Sequence, residues 1–372
     1  MTTMKFSTFL GLAASLLVRH VASEVFIIDN DTPTALQILF PLTAGKRVMG
    51  VSTNIGDYDV EGATYEASLA LSTGNLSSCI PVYKGAAQPL VQTNDTYQLW
   101  QQLFGSIVWQ GAWASDYESP IPANATYTYN DTVGAVQWIM DTVKTSDENV
   151  TIVAAGSMTN LALALAQWPD MAKNVKLVIM GGYVDGQIAQ VTGGDFVNDM
   201  YTDFNLMIDP EGAQRALTAP WKELVIVGNI SSQVYPTQSL YNELIAVSGG
   251  MAAIKNTSGL AYVEDMVGNG TLSSSNLPFW DEVAAGIAAF PEMVTGSYET
   301  YVYVDTSYAS PFYGSLRMVP ADLRPRAGTK TTKATMITSV DVDAFYSKVV
   351  DALVRDWTYF CQSGKSKSLA VL

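Results

Sequence analysis

The chain has 372 residues but only one histidine, His20, and two cysteines, Cys79 and Cys361. Its first 23 residues read as a secretory leader. Lys5 gives a positive start, residues 6–18 form an apolar stretch, and Val21-Ala22-Ser23 places small residues before a cleavage point. Once that leader is removed, the remaining chain, residues 24–372, contains no imidazole. This excludes Ser-His-Asp and Cys-His nucleophile pairs and metal sites built on histidine. Acid–base chemistry then falls to carboxylates, tyrosine, lysine or bound water. Any metal would be a hard, oxygen-ligated ion such as calcium or magnesium.

Positive charge is also scarce. Twenty Lys and Arg face 35 Asp and Glu, and loss of Lys5 and Arg19 with the leader takes the formal charge from −15 to −17. Binding to a phosphate backbone needs clustered basic residues, so no nucleic-acid partner is expected. Long apolar runs are missing as well. The leader's own run is too short to cross a bilayer and nothing later replaces it, so no membrane partner is expected. The two cysteines either bridge the early and last parts of the fold in an oxidising compartment or remain a free, buried pair. Sequons at Asn75, Asn94, Asn124, Asn130, Asn149, Asn229, Asn256 and Asn269 suit a secreted glycoprotein. A further sequon at Asn30 is too recessed to be used.

What is present alternates. Short β-rich runs at 25–28, 47–52, 150–154, 176–180 and 224–227 are interleaved with helical stretches at 61–71, 133–143, 160–167, 210–217 and 342–357. No linker, repeat or low-complexity block interrupts them. The pattern predicts one α/β domain over 24–372 with a mainly parallel central sheet and a Rossmann-like core.

Chemistry concentrates at Val25-Phe26-Ile27-Ile28-Asp29-Asn30-Asp31. An apolar, β-branched run reads as a buried strand, and it ends in two carboxylates on one face of an extended backbone. In open parallel sheets the ligand crevice lies beyond the carboxyl ends of the strands. Two like charges held that close need a cation, hydrogen bonds or a raised pKa. Other strand ends carry small or polar residues: Ala154-Ala155-Gly156-Ser157, Met180-Gly181-Gly182 and Gly228-Asn229. Asp203-Phe204-Asn205, Asp209-Pro210-Glu211 and Phe279-Trp280-Asp281-Glu282 add acids near helix starts, where simple capping is the competing explanation.

Taken in order, Ile-Ile-Asp-Asn-Asp, Gly-Val-Ser-Thr-Asn, Gly-Ser-Met-Thr-Asn-Leu-Ala-Leu-Ala, Val-Ile-Met-Gly-Gly, Asp-Phe-Asn-Leu-Met-Ile-Asp-Pro-Glu and Pro-Phe-Trp-Asp-Glu-Val-Ala resemble the inosine-uridine-preferring nucleoside hydrolases. The likeness covers nearly the whole chain after the leader and is nearest a secreted fungal-type branch. It implies a single α/β domain that cleaves the N-glycosidic bond of ribonucleosides, with calcium holding the ribose diol and the attacking water. By position it makes Asp31 the general base and a metal ligand, with Asp29 supporting it in the metal set. The Ala155 carbonyl and Asp281 become further metal ligands. Met180, Asn198, Asp203 and Asn205 become ribose contacts, with Asp57 where a substrate-binding Asn is usual. Trp280 either stacks on the base or walls the pocket, and Trp109 and Trp113 fall where the family has a substrate loop.

Two departures stand out. The family motif continues Pro-Gly-x-Asp-Asp after its second Asp, whereas this chain reads Thr32-Pro33-Thr34-Ala35. One metal ligand and one diol contact go with that acid pair, and Asp57 or Asp195 would have to fill the gap. Trp280 also stands where the family has a histidine that protonates the leaving base. The expectation is therefore a secreted nucleoside hydrolase that salvages bases from purine or pyrimidine ribonucleosides. The alternative is a nucleoside-binding or interaction protein that kept the fold. Assembly into a homo-oligomer is left open.

Overall fold

In the computed structural model the described residues are 23–73, 75–107, 109–184, 202–250, 277–319, 330–357 and 359–362. Nearly all of the expected leader lies outside them, as do Asp195, Asn198, Asn256 and Asn269.

Among the described residues, nine strands form one sheet in the order β3-β2-β1-β4-β5-β6-β9-β7-β8. They are β1 (Glu24–Asn30), β2 (Arg47–Thr53), β3 (Val82–Lys84), β4 (Asn149–Ala155), β5 (Val175–Ile179), β6 (Glu223–Ile226), β7 (Val294–Val304), β8 (Leu316–Val319) and β9 (Thr332–Val340). The first six pair in parallel, in the doubly wound order 3-2-1-4-5-6. β9 continues that direction beside β6, and β7 and β8 add an antiparallel edge. The helices are α1 (Ala35–Thr43), α2 (Val60–Thr73), α3 (Asn94–Phe104), α4 (Ala135–Thr145), α5 (Thr159–Gln167), α6 (Phe204–Met207), α7 (Pro210–Leu217), α8 (Gln238–Ser248), α9 (Trp280–Ala289) and α10 (Val342–Val354).

Side chains alternate across a strand, and here both faces are buried. Phe26 and Ile28 pack with Val153, Val178 and Val225 beneath α1, α9 and α10. Val25 and Ile27 pack with Ile152, Leu177 and Leu224 beneath α4, α5 and α7. Burial on both faces explains why the central strands read as unbroken apolar runs. A third cluster, including Tyr97, Trp100, Trp113, Phe204 and Tyr313, lies apart from these two.

The alternation fixes where β1 sends its polar end. Asn30 continues the face of Phe26 and Ile28, toward α1 and α9. Asp29 continues the face of Val25 and Ile27, toward α5. Strand order reverses between β1 and β4, so these residues stand at the switch point where open α/β sheets bind ligands. Cys79 and Cys361 are joined in a disulfide, so they are not a free pair. Among the described residues, no helix is long and apolar enough to cross a membrane.

Candidate active site

Three strand ends meet at one rim. Asn30 lies beside Thr53 of β2 and Ala155 of β4, and those strands lead into Asn54 and Gly156. Asp29 is fully buried there. Its Oδ1 accepts from the Ser52 hydroxyl at 2.6 Å and from Asn160 Nδ2 at 2.8 Å, while Oδ2 has no hydrogen-bond partner. Burial pushes its carboxyl up to about 6, against the opposing pull of Ser52, Asn160 and Asn54. Asn160 also donates to the Thr53 carbonyl and accepts from Ala86 N–H, so it ties Asp29 to two neighbouring segments.

Asp31 follows the strand and is 1% exposed. Its Oδ2 accepts from the Asp57 N–H at 2.8 Å, and its Oδ1 has only a long contact, 3.4 Å, with the Thr32 hydroxyl. Burial first, then the negative charges of Asp57 and Asp281, hold this carboxyl well above the usual carboxylate range. The chain comes this close only because residue 56 is glycine. A Cβ there would collide with the Asp31 carboxylate.

Asp57 accepts from Trp109 Nε1 at 2.5 Å and from the Thr32 hydroxyl at 3.1 Å, and burial raises its pKa. Asp281 sits in the first turn of α9, where an acid suits the helix dipole. It is not the cap, which is Phe279. Its Oδ2 accepts from Asn30 Nδ2 at 3.0 Å and Gln37 Nε2 at 2.9 Å. Burial, then the charge of Glu282, raise it well above the ordinary range.

Two indoles stand beside these acids. The Trp109 and Trp280 rings are 6.4 Å apart, and Trp109 is 42% exposed. Trp280 Nε1 donates to Ser232 Oγ at 3.0 Å, and that hydroxyl lies 2.7 Å from the Tyr183 hydroxyl. Trp113 turns inward against Tyr97 and is buried, so it packs and does not face the opening.

The expected ribose contacts divide. Met180 follows β5, with its N–H on the Ala154 carbonyl, and Asn205 Nδ2 donates to the Met180 carbonyl at 3.2 Å. The Asp203 carboxylate accepts from Gly182, Tyr183 and Leu206 N–H groups, capping α6. Asp209 likewise caps α7.

Calcium takes six to eight oxygens. Among the described residues, no group of three or more acidic, cysteine or histidine side chains is arranged to hold a metal. Asp57 already accepts on both oxygens, and Asp281 faces two amide donors. These donors occupy carboxylate oxygens that a calcium ion would need, which makes the site a poor fit for a resident ion.

Gln37 and Asn160 are the partners that sequence reasoning missed. Gln37 was visible in principle, as a lone amide in the apolar helix α1.

The family described as "Inosine-uridine preferring nucleoside hydrolase" matches residues 26–347. An uncharacterized protein of Schizosaccharomyces pombe is 57% identical over 358 residues, 95% of this chain and 92% of its own. The inosine-uridine preferring nucleoside hydrolase of Crithidia fasciculata is 23% identical over 314 residues, 83% of this chain and 89% of its own. A solved inosine-guanosine nucleoside hydrolase superposes with a TM-score of 0.64 at 21% identity, covering 89% of this chain and 98% of that one.

Proposed function

The chain belongs to the inosine-uridine preferring nucleoside hydrolase family, and from that premise we propose that it hydrolyses the N-glycosidic bond of ribonucleosides outside the cell, releasing base and ribose. The observation that carries this reading is Asp31: a buried carboxylate at the sheet's switch point, short of hydrogen-bond donors on one oxygen and crowded by two other acids.

Asp31 in its ionised form takes a proton from water as the water oxygen bonds to the anomeric carbon. The carbon–nitrogen bond breaks, and the departing nitrogen takes its proton from solvent. The sugar passes through an oxocarbenium-like state, whose positive charge is favoured by the surrounding carboxylates. Trp109 and Trp280 offer aromatic faces for the base. The secretory pattern of residues 1–23 supports an extracellular site of action.

The test is release of free base from inosine, adenosine and uridine by the purified protein. Asp31→Asn should lower the rate by about 10³-fold, the range of a general base, with an unchanged circular-dichroism spectrum. No release by the wild-type protein at high concentration sinks the reading. A second reading, nucleoside binding without turnover, draws on Thr32-Pro33-Thr34-Ala35 standing where the family carries its second acid pair; calorimetry with inosine would then show binding without base release.

A further inference from the structure

We infer that the centre of this site is organised by a directional hydrogen-bond relay, from Thr32 N–H through Asn30 and Gln37 to Asp281, in place of a divalent cation. The inference rests on reading this crevice as the family's site, and not on turnover.

The direction of the relay is set by the backbone. Thr32 N–H donates to Asn30 Oδ1 at 3.0 Å, so Asn30 must turn its NH₂ the other way. That NH₂ meets Gln37 Oε1 at 2.5 Å and Asp281 Oδ2 at 3.0 Å. With its oxygen so engaged, Gln37 turns its own NH₂ onto Asp281 Oδ2 at 2.9 Å. Flipping either amide would set donor against donor. Both amides are fully buried, so water cannot relieve such a clash. Amide orientation, often ambiguous, is here determined by the network.

The same substitution of donor for acceptor runs through the neighbouring segment. Thr32 directs its hydroxyl to Asp57 and Asp31, and Thr34 directs its own to Glu282 at 2.7 Å. Cation sites present oxygens inward. This one presents N–H and O–H groups to its carboxylates, which supply the positive ends of dipoles where a cation would supply charge.

The experiment is titration of the purified full protein with calcium chloride by calorimetry, together with thermal melting in calcium and in EDTA. The wild-type protein should give no saturable heat up to about 1 mM calcium, the weak end of protein calcium sites, and the same melting temperature in both. Gln37→Glu, the same shape with one donor replaced by an acid, should bind calcium and melt higher in calcium than in EDTA. Saturable micromolar binding by the wild-type protein, or a fall in its melting temperature in EDTA, overturns the inference. If Gln37→Glu does not fold, the wild-type measurements decide alone. Base release is not read, so an inactive protein leaves both outcomes intact.

Discussion

Asp31 and Asp209 are both buried aspartates, but they are held in opposite ways. Asp209 accepts from Gly212 N–H, Leu90 N–H and the Thr159 hydroxyl, which joins three segments and starts a helix. Asp31 has one strong donor and two acidic neighbours. Burial raises the pKa of each, but only Asp31 is driven further by like charges. A saturated carboxylate holds structure; an undersupplied one keeps an oxygen free for chemistry. Burial alone does not separate the two, and donor supply does.

The hardest test of that contrast is Gly56→Ala. The added methyl would meet the Asp31 carboxylate, so Asp31 must leave its position. Base release should fall by about 10³-fold, comparable to loss of the base itself, while the circular-dichroism spectrum stays that of the wild type. Retained activity would show that Asp31 does not need this placement. Asp209→Ala should do the reverse. Removing three hydrogen bonds to a buried charge should lower stability by about 3 kcal/mol, measured by urea unfolding, with turnover per folded molecule preserved. The smallest effect is expected from Asp57→Asn. Loss of that negative charge lowers the Asp31 pKa, so the acid limb of the pH–rate profile should move down by about one pH unit. An unmoved limb would mean that Asp57 does not act on the base.

Much of this was legible in the sequence. The expected central strands match those observed to within one or two residues, because β-branched runs buried on both faces carry a strong signal. The helix expected over 342–357 ends at Val354 instead, where Arg355 turns extended. Beyond that end Trp357 folds back, with Nε1 on the Ala352 carbonyl. β7 carries no comparable signal, since most of it is half-buried or exposed and it mixes polar with aromatic residues. Asp29, Asp31 and Asp281 were legible as acids at element ends. Thr32 and Thr34 were not, and Gln37 stood out only as a lone amide without a visible partner, because spacing along a chain does not encode which way a hydrogen bond points. Asp203 shows the converse: its position in a motif said nothing of the three N–H groups that occupy it.

The bridge between Cys79 and Cys361 spans 282 positions of sequence. It turns most of the chain into a covalent ring. Five of the parallel strands, β3 to β6 and β9, and the helix bearing Asp281 lie on the ring, while β1 with Asp29 and Asn30 lies on the tail outside it. A single protease cut within the ring would therefore leave one molecule on a non-reducing gel and two pieces on a reducing gel. A cut between Asp31 and Cys79 would release β1 together with Asp29, Asn30 and Asp31 in either case.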